Sequence, residues 1–202
     1  MQRLLTELVD VLFPPTVGEK LLRTVKTETL QSLYEPGQFQ NTQYLCSYHH
    51  PIVQTAVIEN KFHHQRVAAN VLGKTLDLWI KEQTEELVFV PIPLAPKRQR
   101  ERGHNQVETI IRFTDKKTPL VINLLKRRIE TAPQSHLKKH ERLHNIQNAF
   151  AYTGKTPDWP AGTRVVLFDD VVTTGATMRA ARATLAPHLP PHTILTCLAI
   201  AH

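Results

Sequence analysis

A chain of 202 residues with 41% hydrophobic side chains and a net charge of +7 is long enough to bury a proper core. Its only two cysteines, Cys46 and Cys197, are too few for a disulfide framework or a four-cysteine zinc site, which points to a reduced, cytoplasmic setting. No run of about 18 apolar residues occurs, so insertion of a helix into a membrane is not expected.

Residues 1–13 carry an amphipathic helical pattern through Leu4, Leu5, Leu8, Val9 and Leu12, interrupted by Glu7 and Asp10, without the uncharged core of a signal peptide. Phe13-Pro14-Pro15 breaks it, residues 16–45 are weakly periodic, and the first 50 residues read as a small N-terminal helical lobe. Between Pro51 and Gln83 the spacing of Val53, Val57, Val67, Val71, Leu72, Leu76 and Trp79 predicts two helical pieces parted near residues 61–65. Leu87-Val88-Phe89-Val90 predicts a short buried strand, and residues 91–103, with prolines at 91, 93 and 96, a stiff loop. Asn105 is placed to cap a helix over about 106–113. A strand around 120–126, a polar stretch to His144, a strand near Phe150 and a turn at residues 159–162 follow. After the last predicted helix, the double proline at 190 and 191 leads into an apolar strand over 193–201. Strands alternating with helices make residues 51–202 an α/β domain, with a mostly parallel sheet and its ligand at the carboxyl ends of the strands.

The richest chemistry lies in Val165-Val166-Leu167-Phe168-Asp169-Asp170-Val171-Val172-Thr173-Thr174-Gly175-Ala176-Thr177. Four apolar residues suit a parallel strand covered on both faces, and Met178, Ala181, Leu185 and Leu189 continue at helical spacing. The amides of Thr173, Thr174, Gly175, Ala176 and Thr177 then open onto an anion at a helix N-terminus, where unpaired N–H groups and the dipole favour a phosphate. Asp169 and Asp170, acceptor-only when ionised, stand where two ribose hydroxyls would donate. The pattern describes a ribose-5-phosphate site.

The charge is not spread evenly: residues 96–145 hold 13 Lys and Arg against 5 Asp and Glu, and the rest of the chain 12 against 13. Such a concentration suits a polyanion, whether substrate phosphates or a nucleic-acid backbone, although Phe113 is the only aromatic in the region. In the proline-stiffened segment, Lys97, Arg98 and Arg100 are the candidates for a pyrophosphate group, because prolines remove amides and arginine pairs phosphate bidentately. His136, His140 and His144 recur at four-residue spacing, yet Lys138, Lys139 and Arg142 surround them and repel a cation, so no metal site is assigned.

The acid pair and Thr-Thr-Gly turn resemble the binding signature of type I phosphoribosyltransferases, which use phosphoribosyl pyrophosphate (PRPP). The resemblance sharpens to the ComF/GntX family through Val90-Pro91-Ile92-Pro93-Leu94 and through Arg100-Glu101-Arg102-Gly103-His104-Asn105-Gln106, in which Arg102, Gly103, Asn105 and Gln106 are signature residues. A later stretch, Thr131 to Gln134 and then Lys138, Lys139, Arg142, Asn145, Ala149 and Phe150, is similar to that family's active-site loop and is expected to form a mobile basic lid. The resemblance implies a type I phosphoribosyltransferase-like parallel sheet flanked by helices, PRPP or ribose-5-phosphate as ligand, and magnesium (Mg2+) arriving with PRPP. It implies either transfer of phosphoribosyl to an acceptor, or, as the alternative, a PRPP-binding competence factor that handles imported single-stranded DNA with little transferase activity. No residue stands out as a nucleophile or general base. Many family members continue Phe-Pro-Pro with a four-cysteine zinc module; here residues 17–44 hold no cysteine, so a lobe without structural zinc is expected.

Overall fold

The computed structural model describes residues 14–62, 66–115, 124–128, 149–154 and 156–202. The amphipathic segment 1–13, the His63-His64 pair, the three spaced histidines and the lid residues Lys138, Lys139, Arg142 and Asn145 lie outside them.

The chain runs through α1 (Val17–Arg23), α2 (Thr27–Leu33), β1 (Gly37–Phe39), β2 (Thr42–Cys46), α3 (Pro51–Phe62), α4 (Arg66–Lys81) and β3 (Leu87–Pro91). There follow α5 (Pro96–Arg102), α6 (Gln106–Arg112), β4 (Leu125–Arg127), β5 (Phe150–Tyr152), β6 (Arg164–Val171), α7 (Ala176–Leu185) and β7 (Ile194–Ala201). Five strands form one sheet in the order β1-β2-β7-β6-β3, with β2, β7, β6 and β3 parallel and β1 antiparallel at one edge. β4 and β5 make a separate antiparallel pair. The expected α/β class, with a mostly parallel sheet flanked by helices, is what the chain adopts.

Strand order dictates which face each helix covers. The connection from β2 through α3 and α4 passes over β7 and β6 to reach β3, whereas α7 leads back from β6 to its neighbour β7. Right-handed crossovers in opposite directions put their helices on opposite faces. One core accordingly joins Val57, Leu72, Leu76 and Ile110 to Val166, Phe168 and Ile200 of the sheet. The other joins Met178, Ala181 and Leu185 of α7, and Phe150 of β5, to Val165, Leu167 and Cys197. Residues 165–168 of β6 are wholly buried, because a central parallel strand has no solvent face.

Two expectations are corrected. The segment 96–102 is a helix, not a loop: Pro96 occupies its first turn, where a missing N–H costs nothing, and Lys, Arg, Gln and Glu are all good helix formers. Gly103 ends it at φ 71°, the left-handed conformation that favours glycine. Residues 37–46, weakly periodic in sequence, form the β1–β2 hairpin, and β2 extends the main sheet by pairing Tyr44 with Ala199 and Cys46 with Ala201. The strand expected at 120–126 is described as Leu125–Arg127, ending one residue later.

Candidate functional site

Asp169 and Asp170 end β6, flanked by β7 through the pairing of Asp169 with Ala199 and by β3 through that of Phe168 with Pro91. Side chains alternate along a strand, so the two carboxylates leave the sheet on opposite faces. They are therefore not equivalent, although the sequence sets them side by side.

Asp170 turns toward α3 and α6 and is 5% exposed. Its Oδ2 accepts from Gln106 Nε2 at 3.1 Å and lies 3.1 Å from Lys61 Nζ, an ion pair that leaves Lys61 about a quarter exposed. Gln106 is held in turn: its Oε1 accepts from Arg102 at 3.0 Å, and its carbonyl accepts from Asn60 Nδ2 at 3.0 Å. Asn105 caps α6 by accepting from the Val107 amide at 3.0 Å, while its Nδ2 donates to the Ile92 carbonyl at 3.0 Å and so ties the cap to the end of β3. Of the signature residues, Arg102, Asn105 and Gln106 thus build the support of Asp170, and Gly103 ends the helix before them. Burial, ahead of the charge of Arg98, pulls the Arg102 guanidinium below its ordinary range, and Asp170 opposes that shift.

Asp169 faces the other side and borders a small hollow with Val171, Val172 and residues 173–178. Its Oδ1 accepts from the Asp170 amide at 2.9 Å. Burial first, and then the neighbouring Asp170 charge, push its carboxyl well above the usual carboxylate range; the Asp170 amide, Lys61 and Arg127 pull the other way. An acid held this way is poised for a cation or for hydroxyl donors.

The loop after β6 turns through Gly175 at φ 67° into α7. A Cβ there would stand 2.8 Å from Gln40 Oε1, the movable end of a side chain, so it is the left-handed conformation that calls for glycine. Among the described residues no acceptor is found for the amides of Thr173, Thr174, Gly175 and Thr177, whereas Ala176 N–H donates weakly to Thr174 Oγ1 at 3.4 Å. Arg179 Nη1 donates to the Thr174 carbonyl at 3.0 Å and to Gln40 at the β1–β2 turn, bracing the loop from below. Unpaired amides at the start of a ten-residue helix form an anion cradle.

Lys97, Arg98 and Arg100 are exposed on α5, and of the three only Arg98 borders a cleft of about 650 Å³ between α3 and α5. Sequence reasoning missed Lys61, Gln40, Arg179 and Arg127. The last lies on β4, over the Phe150 ring at 5.4 Å, with Arg98 and Asp169 as its electrostatic neighbours. Among the described residues no three His, Cys, Asp or Glu side chains gather where they could hold a metal ion. A magnesium ion here would keep mostly water and substrate oxygens, as that ion does with one or two carboxylates and a phosphate chain. No described helix is long and apolar enough to cross a membrane.

No family model matches the chain. Among curated proteins it is similar to competence protein F of Haemophilus influenzae, 33% identical over 128 residues that cover 58% of this chain and 55% of that protein. It is likewise similar to competence protein ComFC of Bacillus subtilis, 36% identical over 104 residues covering 50% and 39%. ComFC of Streptococcus pneumoniae is 32% identical over 121 residues, covering 60% and 49%. The chain thus spans about half the length of the relatives it matches, or less. Solved structures that align with it include hypoxanthine phosphoribosyltransferases of Staphylococcus aureus (14% identity, TM-score 0.32, 64% of this chain and 61% of that one) and Trypanosoma cruzi (12%, 0.35, 70% and 66%). Those scores are too low to carry an argument; by sequence, with both signature segments in order, the chain is similar to the ComF competence proteins over 50–60% of its length.

Proposed function

We propose that this protein binds PRPP with Mg2+ and transfers its phosphoribosyl group to an acceptor. The observation that carries the reading is the pairing of Asp169, at the end of a buried strand, with unpaired amides at the start of α7. In this reading the 5′-phosphate sits on residues 173–177, the ribose hydroxyls donate to Asp169, and Asp170 is the fixed second charge behind it. The pyrophosphate end meets the exposed Lys97, Arg98 and Arg100, whose positive charge stabilises the leaving group as it departs. Positioning and electrostatics supply most of the acceleration in such a displacement, which fits a sequence in which no nucleophile stands out. The lid expected over residues 131–148 would exclude water, and protection of that stretch from protease by Mg–PRPP is its test.

Titration of PRPP with and without Mg2+ tests the reading, and pH sharpens it. Asp169 accepts most strongly, and at both oxygens, when ionised, and its pKa in the free protein is raised. Affinity for Mg–PRPP is therefore expected to rise with pH from 6 upward and to level off once Asp169 is ionised in the free protein. A flat profile over that range, or absence of binding, counts against the assignment.

A second reading, contact with single-stranded DNA, draws on the exposed basic face of α5. With arginine and lysine abundant there and aromatics sparse, such binding would go to phosphates, without sequence preference. Affinity is expected to fall with salt, with a log–log slope of about −0.7 per phosphate neutralised, and saturating Mg–PRPP is expected to compete. Salt-insensitive binding would contradict this mode of contact.

A further inference from the structure

The cleft of about 650 Å³ between α3 and α5 carries chemistry that the phosphate cradle does not use. Phe62 is 61% exposed and Ile58 40%, two of the few large apolar side chains that the described residues leave in solvent, and both line this one cleft with Tyr48. Beside them stand three cations, Lys61, Arg98 and Arg102, against one lining acid, Glu101, and Asp170, which pairs with Lys61 from behind the wall, so one positive charge remains in excess. The Arg102 guanidinium lies over the Phe62 ring at 5.1 Å, so one side of the ring is engaged while most of it stays accessible. Lys61 Nζ, on the wall of the cleft, is 3.1 Å from Asp170, the chain neighbour of Asp169. A volume of this order is typical of small-molecule sites, and an aromatic wall beside unbalanced positive charge selects a flat anionic ring.

From this juxtaposition we infer that the α3–α5 cleft is a binding site for a planar heteroaromatic ring that carries negative charge and an unprotonated ring nitrogen. The ring stacks on Phe62 and Ile58 and turns its charged edge to Lys61 and Arg102. Its role as the acceptor rests on the proposed function; its binding does not. As acceptor, the ring nitrogen's lone pair forms the bond to C1 of the ribose while the C1–oxygen bond breaks, its electron pair leaving with pyrophosphate. No proton has to be removed, so the step needs no general base.

The test uses the whole protein and three probes of similar size: nicotinate (planar and anionic), nicotinamide (planar and neutral) and cyclohexanecarboxylate (anionic and not planar). Titrations followed by NMR are expected to show nicotinate binding at least about tenfold tighter than either of the others. Phe62→Leu is expected to weaken nicotinate by about tenfold, and Ile58→Ser by several-fold. Equal binding of the three probes, no nicotinate binding at millimolar concentration, or an unchanged affinity in folded Phe62→Leu overturns the inference. A parallel titration with Mg–PRPP separates the two claims. Nicotinate binding without PRPP binding keeps the aromatic-anion site and removes the phosphoribosyl reading.

Discussion

Replacing Asp170 with alanine is expected to destabilise the protein by about 3 kcal/mol, the lower end of what removing one partner of a buried ion pair costs, because Lys61 keeps some contact with water. The change leaves the largely buried Lys61 without its carboxylate and strips Gln106 Nε2 of its acceptor. Gln106 also orients Arg102 and receives Asn60, so the loss spreads into α3, α5 and α6. Urea unfolding measures it as a lower midpoint at an unchanged slope. The double change Lys61→Met with Asp170→Leu is expected to recover part of the loss, since packed apolar groups replace a buried pair at little cost. A cost below about 0.5 kcal/mol for Asp170→Ala would mean that the network does not hold the site.

Asp169→Asn is expected to act in the opposite sense on stability while abolishing most PRPP affinity. A hydrogen bond to a charged acceptor contributes roughly 1.5–3 kcal/mol, so losing one weakens Mg–PRPP by roughly 10- to 150-fold. Stability follows from proton linkage. The folded-state pKa of Asp169 lies above its ordinary value of 3.8, so the folded protein binds more protons than the unfolded chain between those two values. Stability therefore falls as pH rises through that window, at up to about 1.4 kcal/mol per pH unit, and is least above the folded pKa. The asparagine variant removes the effect: it matches the parent near pH 3 and becomes increasingly the more stable of the two toward pH 8. A variant less stable than the parent at pH 8 would show that Asp169 is held by partners that outweigh its desolvation. Opposite effects on stability and binding mark a group retained for its ligand.

The contrast between the two acids shows where local sequence suffices. That they end a buried strand and precede an anion-binding turn is legible in consecutive residues: four apolar side chains, two carboxylates, a glycine and a helical repeat each have one comfortable backbone state. The two-residue period of a strand already implies that Asp169 and Asp170 part company, but not which of them is sealed. That depends on which helix covers which face, and hence on strand order.

The proline-rich segment differs. Prolines at 91, 93 and 96 read as a loop, yet Pro96 begins a helix: a proline suits a first helical turn as well as a loop, and the helix formers that follow it separate the two uses. The N-terminal hairpin was illegible because strands of three and five residues carry too little pattern; β2 is ordered by the backbone of β7, more than 150 residues away in the chain.

By itself, then, the sequence determined what depends on neighbours along the chain: the glycine turn between a buried strand and its helix, the helix cap at Asn105, the α/β alternation and the basic bias of the middle. Tertiary structure alone decided what depends on packing. It brought Lys61 and Gln106 to Asp170, Gln40 to the Gly175 turn, Arg127 toward Asp169, and an aromatic wall to a basic cleft. The physical reason is one of range: backbone propensity and capping act over a few residues, whereas ion pairing and desolvation act between whatever surfaces the sheet topology presses together.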